Sequence, residues 1–271
     1  MLDRAFERSR SAGRCAFIPF IVAGDPDIKT TRLLCSALTQ AGADIIELGV
    51  PYGDPLADGS TIAEAAQRAC ERGVDLESVL RLTASATEQG CAPVVLFTYV
   101  NPVLQFGLER FASDAAAAGA SGVIIPDITI EESQEIRAIL ASRNLQMPLM
   151  IAPSTPLRRA SAIAEQSSGF VYVVSRLGVT GASSGPVAEH IKNRIRALRG
   201  ITQKPLAVGF GISTPQDVGA VAAVADGAII GSAIIDAYNA VSAPSHVDAV
   251  QMLCTELVAA CRAPKHGGAP V

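Results

Sequence analysis

An acidic residue interrupts one of the apolar, strand-like segments of this sequence. Glu47 lies in the run DIIELGV (residues 44–50) and shares its alternation with Ile45 and Gly49. Its side chain is therefore expected to point to the buried side of a strand, near the carboxyl end. Burial raises the pKa of a carboxyl group, which suits it to proton transfer near neutral pH. A structural role, in which Glu47 pairs with an arginine or accepts backbone hydrogen bonds, is the alternative.

The loop that follows this segment contains two more acids. The stretch PYGDPLADGS places Asp54 and Asp58 among proline and glycine residues, and Asp58 is eleven residues beyond Glu47. A loop of that length can fold back over the end of the strand, and two carboxyl groups in different environments can divide acid and base roles. Asp-Pro and Asp-Gly pairs also favour turns, so a purely structural role for both aspartates stays open.

Glycine-rich loops follow three strand-like runs in the second half of the chain. Gly181 lies in LGVTGASSG, Gly209 and Gly211 lie in GFGIST, and Gly231 with Ser232 lies in IGSAI. Glycine lets backbone N–H groups approach phosphate oxygens closely. One such loop could be only a tight turn, but three successive loops favour a phosphate-binding site.

The positions of lysine and histidine argue against two other chemistries. The four lysines, at 29, 192, 204 and 265, fall in helical patterns, in the tail or before a strand, which disfavours Schiff-base catalysis. His190, His246 and His266 fall in or beside the last helices and the tail, so no histidine metal site is expected. Carboxyl groups remain as the proton-transfer groups, acting on a substrate that can itself accept electrons.

Eight short apolar runs alternate with helical patterns and must position these residues. Each run is bounded by Gly, Pro, Asp or Asn. The runs cover residues 16–24, 44–50, 93–100, 122–127, 148–153, 170–176, 205–211 and 227–234. Eight such units in about 250 residues predict a single (β/α)8 TIM barrel, whose active site lies at the carboxyl ends of the strands. An open, doubly wound sheet is the alternative.

No break in composition divides the chain, so one barrel domain is expected over residues 1–263. Leu2 and Phe6 lie four apart in a short N-terminal helix that could cap the barrel floor. Residues 264–271 are rich in Pro and Gly and are expected to form a disordered tail.

Composition limits the partners and the compartment. The formal net charge of -4 disfavours nucleic acid as a partner. No apolar run is long enough for a membrane span, and the amino end lacks the features of a signal or transit peptide. Six cysteines without CxxC spacing are expected to be free thiols. A cytoplasmic location is expected, and an organelle stays open if a transit peptide has been removed.

Several motifs, in order and with matching spacing, resemble the tryptophan synthase alpha chain family. They are ELGVPYGDPLADG, VNP after the third strand, PDITIEES after the fourth, SRLGVTG after the sixth, and VGFGIS with IGSAI near the end. The resemblance covers nearly the whole chain. It implies a TIM-barrel lyase without a cofactor of its own, which cleaves indole-3-glycerol phosphate to indole and D-glyceraldehyde 3-phosphate in tryptophan biosynthesis.

The resemblance also assigns roles to individual residues. Glu47 is implied to act as the acid/base group at indole C3 and at the glycerol hydroxyl, and Asp58 to stabilise or remove the proton of the indole N–H. The implied indole pocket includes Phe20, Tyr99, Asp127 and Tyr172, of which Phe20 and Tyr172 could instead be ordinary core residues. The implied phosphate site consists of Gly181, Gly209, Phe210, Gly211, Gly231 and Ser232.

A partner is implied as well, namely a beta chain that carries pyridoxal phosphate and forms an alpha2beta2 tetramer. Asp54, Thr180 and the segment 176–184 are the implied contact or lid positions. Gly53 and Ser60 depart from the family pattern, which normally has Ser or Thr and Pro there, so a less ordered loop is expected.

Two other functions stay open on the sequence. They are a free-standing lyase that releases indole and a mainly regulatory partner of a beta chain. An indole-glycerol-phosphate synthase is disfavoured, because it would need a lysine at a strand end.

Overall fold

The structure is a computed structural model, and it describes residues 1–175 and 187–262. The predicted tail, 264–271, lies outside these residues. Within them, no helix is long and apolar enough to cross a membrane. All six cysteines lie in the described ranges and are free thiols.

Eight parallel strands form an almost closed barrel. They are β1 (Ala16–Val22), β2 (Ile46–Gly49), β3 (Val94–Phe97), β4 (Gly122–Ile124), β5 (Leu149–Ile151), β6 (Val171–Val174), β7 (Leu206–Gly209) and β8 (Gly227–Ile230). Hydrogen bonds link them in the order β4-β3-β2-β1-β8-β7-β6-β5. A single bridge between Gly122 and Gln146 joins the two ends of this series. The predicted (β/α)8 barrel is therefore confirmed, and the open sheet is excluded.

Twelve helices in the described part of the chain surround the strands. They are α1 (Leu2–Ser11), α2 (Ile28–Ala41), α3 (Ser60–Glu71), α4 (Leu76–Glu88), α5 (Val100–Phe106), α6 (Leu108–Ala117), α7 (Gln134–Ser142), α8 (Leu157–Gln166), α9 (Val187–Arg199), α10 (Pro215–Ala222), α11 (Ser232–Asn239) and α12 (His246–Ala260). Helices α2, α4 and α10 are each preceded by an N-cap residue, Asp27, Asp75 or Thr214, whose side chain accepts a hydrogen bond from a backbone N–H of the first turn.

Two of the predicted strand runs continue into helices. The run 93–100 ends as a strand at Phe97, and Val100 already begins α5. The run 227–234 ends as a strand at Ile230, and Ser232 begins α11. Both helices start within apolar runs, so composition alone does not show where the strand stops. The consequence is that Ser232 lies at the N-terminus of a helix.

The N-terminal helix α1 closes the amino end of the barrel. Leu2 and Phe6 are buried, and the Phe6 ring centroid lies 5.5 Å from that of Phe170, which directly precedes β6. A Cβ atom on Gly169 would lie 2.9 Å from Leu2 Cδ1, so a glycine makes room for this helix. The predicted N-terminal cap is confirmed.

Acidic side chains at the amino end are held by arginines. Asp44, which is 5% exposed, accepts hydrogen bonds from two Arg14 nitrogens at 2.5 and 2.9 Å and from Phe17 N at 2.8 Å. Asp226 accepts a hydrogen bond from Arg199 and another from a backbone N–H. These contacts fasten the segments that lead into the strands.

Candidate active site

Glu47 lies within β2, aligned with Phe20 on β1 and Val95 on β3. Its side chain is completely buried, as the alternation of the sequence predicts. Neither carboxyl oxygen has a hydrogen-bond partner among the described residues, so no arginine in that part of the chain pairs with it. Burial raises the pKa of Glu47 to about 8. Glu47 is therefore a carboxyl group that keeps its proton at neutral pH.

Asp58 lies in the loop between β2 and α3 and lines a cavity at the carboxyl end of the barrel. The loop is held by a hydrogen bond of 3.0 Å from Ala57 N to the Tyr99 hydroxyl. Burial raises the pKa of Asp58 to about 6, and the Tyr99 hydroxyl opposes that shift. At neutral pH Asp58 is thus ionised while Glu47 is protonated, which is the division of roles that two carboxyl groups in unlike environments allow.

Tyr172 is a buried ring close enough to Glu47 and Asp58 for their charges to act on its hydroxyl group. Burial is the main reason that the pKa of Tyr172 is raised, and the charges of Glu47 and Asp58 are the next causes. The Tyr172 ring lies 5.9 Å from the Phe210 ring in an edge-on arrangement. An aromatic wall thus stands beside both acids.

Two neighbouring cavities open at the carboxyl ends of the strands in the described part of the chain. The smaller, of about 50 Å³, is lined by residues that include Phe20, Asp58, Tyr172, Phe210, Gly211, Gly231 and Ser232. The larger, of about 450 Å³, is lined by residues that include Leu56, Ala57, Pro126, Met150 and Phe210. Gly59 and Phe210 border both. Glu47 is in the lining of neither cavity, but it is aligned with Phe20, which lines the smaller one. A flat apolar group beside Asp58 could extend past Phe210 into the larger cavity, whose size suits a small-molecule ligand.

The loop after β7 has an unusual backbone. Phe210 and Gly211 both have positive φ angles, 71° and 76°, and Phe210 is one of two non-glycine residues of this kind among those described. The Ser175 hydroxyl donates a hydrogen bond to the Phe210 carbonyl and so holds the turn from β6. A Cβ atom on Gly209 would collide with the Tyr172 hydroxyl, so only glycine fits there.

The loop after β8 leads directly into a helix N-terminus. Gly231 and Ser232 line the smaller cavity, and α11 begins at Ser232. The first N–H groups of a helix have no intrahelical partners, and together with the helix dipole they favour an anion. Two of the three glycine loops predicted to hold phosphate, those after β7 and β8, therefore meet Asp58 and Tyr172 in one cavity, whereas the loop with Gly181 lies outside the described residues.

Tyr99 and Asp127 lie beside the cavities rather than in their walls. Asp127 is exposed, and its carboxylate accepts a hydrogen bond of 3.0 Å from Val100 N at the start of α5. Tyr99 is buried and fixes Ala57, as described above. Their places in an indole pocket stay predictions. Asp54 is exposed in its loop, whereas Thr180, Gly181 and the rest of 176–184 lie outside the described residues.

Sequence reasoning did not single out several residues of the site. Phe97 ends β3, lines the smaller cavity and packs edge-on against Phe20 with ring centroids 5.6 Å apart. Tyr52 contacts Tyr99, with centroids 5.3 Å apart, and its hydroxyl accepts a hydrogen bond of 3.1 Å from Asn101. Their positions, at a strand end and in a loop of Pro, Gly and Asp, are the signals that could have found them.

The structure offers no grouping of three or more His, Cys, Asp or Glu side chains suited to a metal ion within residues 1–175 and 187–262. The described residues of the site offer two carboxyl groups with raised pKa values, aromatic rings and the N-terminus of α11.

Comparisons with known proteins agree on one family. The model of the family described as tryptophan synthase alpha chain matches residues 6–262. An alpha chain from a strain of Prochlorococcus marinus is 43% identical over 95% of this chain and 96% of its own. One from Synechococcus elongatus is 46% identical over 94% and 95%. A structure of tryptophan synthase from Mycobacterium tuberculosis superposes with a TM-score of 0.89 at 35% identity, covering 97% of this chain and 98% of that one.

Proposed function

The chain belongs to the tryptophan synthase alpha chain family, lyases of tryptophan biosynthesis, and from that premise we propose that it cleaves indole-3-glycerol phosphate to indole and D-glyceraldehyde 3-phosphate. The observation that carries this proposal is the pair of acids. Glu47 is buried without a partner among the described residues and is aligned with Phe20, which lines the smaller cavity. Asp58 lines the same cavity and has a lower pKa than Glu47.

In the first step, protonated Glu47 donates its proton to C3 of the indole ring. The ring nitrogen then carries the positive charge, and the Asp58 carboxylate stabilises that charge through the N–H group. An ionised group already placed where charge develops lowers the barrier, because it need not rearrange during the reaction. The raised pKa of Glu47 supplies the proton at neutral pH, and the ionised state of Asp58 supplies the negative charge.

In the second step, the bond between C3 and the glycerol carbon breaks. Its electron pair restores the C2=C3 double bond of indole and neutralises the ring nitrogen. The hydroxyl group on the departing carbon becomes the aldehyde, and its proton passes to the Glu47 carboxylate, which returns to its starting state. The substrate accepts the electrons itself, so proton transfer by side chains is sufficient.

The remaining residues of the site bind and orient the substrate in this proposal. The phosphate lies at the N-terminus of α11 and the loop after β7, where Gly231, Ser232 and Gly211 face the smaller cavity. The indole ring lies against Phe20, Tyr172 and Phe210. Anchoring the phosphate fixes the distance from C3 to Glu47, which favours reaction through orientation.

We also propose that the carboxyl end of the barrel binds a beta chain that carries pyridoxal phosphate. Three large apolar side chains are exposed on segments that follow β2, β3 and β5. They are Leu56 in the acid loop (residues 50–59, between β2 and α3), Leu104 on α5 and Leu157 at the start of α8, which are 77%, 58% and 45% exposed. Large apolar side chains exposed beside a site commonly mark a protein contact. The chain itself needs no cofactor for the proposed reaction.

The test is the release of indole from indole-3-glycerol phosphate by the purified chain, with and without a beta chain. Indole and aldehyde should form in equal amounts, and indole-3-glycerol without the phosphate should react far more slowly. The pH profile of kcat/KM should rise through about pH 6 and fall above about pH 8. Absence of indole under both conditions would contradict the proposal and favour a regulatory role.

A further inference from the structure

A buried ion pair joins three elements behind the site. Asp25, in the loop after β1, is 1% exposed. It accepts hydrogen bonds from Arg68 Nε at 2.8 Å and from an Arg68 terminal nitrogen at 2.7 Å, both supplied by α3. The Tyr238 hydroxyl on α11 donates a third, at 2.5 Å. No step of the proposed reaction uses these groups.

Each of the three elements carries a part of the site. β1 provides Phe20, α3 begins two residues after Asp58, and α11 begins at Ser232. Arg68 lies eight residues into α3, about 12 Å along the helix from its first residue. A helix of this length moves as a rigid body. Asp25 contacts Arg68 near the end of α3 and Tyr238 near the end of α11, and so it also restrains where both helices start.

The same elements also meet at the site. A Cβ atom on Gly231 would lie 3.3 Å from Ile62 Cδ1 on α3 and 3.3 Å from Phe20 Cδ1. The phosphate glycine is thus packed between β1 and the first turn of the helix that follows the acid loop. A change in the spacing of α3 and α11 would move Asp58 and the anion site relative to each other.

We propose that Asp25 is a positioning residue, the shared anchor that sets the distance between the acid loop and the phosphate site. This proposal rests on the proposed function, because it assigns the two ends of one substrate to those two places. Asp25 does not touch the substrate. It acts through Arg68 on the acid loop and through Tyr238 on the phosphate site.

The test examines the two contacts of Asp25 separately. The contact with Arg68 is called the acid arm and the contact with Tyr238 the phosphate arm. Tyr238→Phe removes only the hydroxyl on the phosphate arm and should raise KM, and the Kd for inorganic phosphate, about tenfold with kcat nearly unchanged. Arg68→Gln loosens the acid arm and should lower kcat about tenfold with a smaller change in KM. Arg68→Lys, which keeps the charge but loses the paired geometry, should recover part of kcat.

Asp44→Asn is the matched control, because Asp44 is also buried and bound by two nitrogens of one arginine, but at the amino end. It should lower thermal stability and leave kcat, KM and phosphate affinity per folded molecule unchanged. If Tyr238→Phe and Arg68→Gln behave like this control, the anchor is purely structural and the proposal is overturned. Phosphate affinity, measured by calorimetry, does not depend on turnover. It therefore tests the phosphate arm even if no indole is released.

Discussion

Two buried carboxyl groups on the same stretch of chain, Asp44 and Glu47, have opposite surroundings. Asp44 precedes β2 at the amino end of the barrel and accepts three hydrogen bonds, two of them from Arg14. Glu47, three residues later, has no partner among the described residues, and its pKa is raised to about 8. One end of the barrel uses a buried acid for stability, and the other keeps one available for chemistry, as this fold generally does.

The largest expected effect is on kcat, which should fall when Glu47 is replaced but not when Asp44 is replaced. Glu47→Gln removes the proposed proton donor without changing the size of the side chain, and should lower kcat about 1,000-fold. Asp44→Asn should leave kcat per folded molecule within about twofold, because Asp44 lies at the amino end of the barrel. Indole release by both variants is the measurement. Turnover retained in Glu47→Gln would remove Glu47 from the mechanism.

The next largest effect is on the free energy of unfolding, which should change in opposite directions in the Asp44 and Glu47 variants. Asp44→Asn breaks a buried pair and should lower the free energy of unfolding by about 3 kcal/mol. Glu47→Gln should do the reverse at alkaline pH, because an ionised carboxylate is not accommodated at that position. Urea unfolding of both variants and the parent chain is the measurement.

The sign of the Glu47 effect follows from its raised pKa. The folded chain holds a proton that the unfolded chain releases above about pH 4.5, so the contribution of Glu47 to stability is lost as the pH rises from there to about 8. The difference between Glu47→Gln and the parent chain should therefore grow by up to about 1.4 kcal/mol per pH unit in that interval. A difference independent of pH would mean that Glu47 is already ionised when folded.

The smallest expected effect is on KM and concerns the acid loop. Its Tyr52 makes one exposed hydrogen bond, whereas Asp44 at the amino end accepts three. Tyr52→Phe removes the hydroxyl that accepts from Asn101 and should raise KM about threefold, the size expected for one exposed hydrogen bond. Asn101→Ala should give a similar change, and the double variant should add little to either. If the two changes in KM were fully additive, Tyr52 and Asn101 would act separately. Their contact would then not offset the loop flexibility expected from Gly53 and Ser60.

Features set by local pattern could be predicted from the sequence. Alternation within one strand is enough to bury Glu47, and turn residues around eight apolar runs are enough to predict the barrel. The position of two glycine loops, after β7 and β8, could be predicted at the carboxyl end of the barrel, and their binding of phosphate stays a prediction. These features depend on neighbours in sequence, so one sequence contains the information.

Features that depend on distant partners could not be predicted. Asp25 meets Arg68 and Tyr238 across 43 and 213 residues, and nothing in their local patterns indicates the pairing. Asp127 accepts a hydrogen bond from the start of α5, and the position of that start depends on where β3 ends. The apolar run continues from the strand into the helix, so the sequence does not show this boundary. The left-handed backbone of Phe210 follows from the Ser175 contact and from packing against Tyr172, not from its own preference.

The single bridge between Gly122 and Gln146 bears on the order in which the chain can assemble. The Gln146 side chain accepts a hydrogen bond from Leu2 N and donates one to Asp3, so the first residues of the chain span the seam of the barrel. Phe6 completes its packing only against Phe170 and the start of β8. During synthesis, α1 emerges long before these partners exist. Helix α1 is therefore synthesised before its partners and is among the last elements to reach its native contacts.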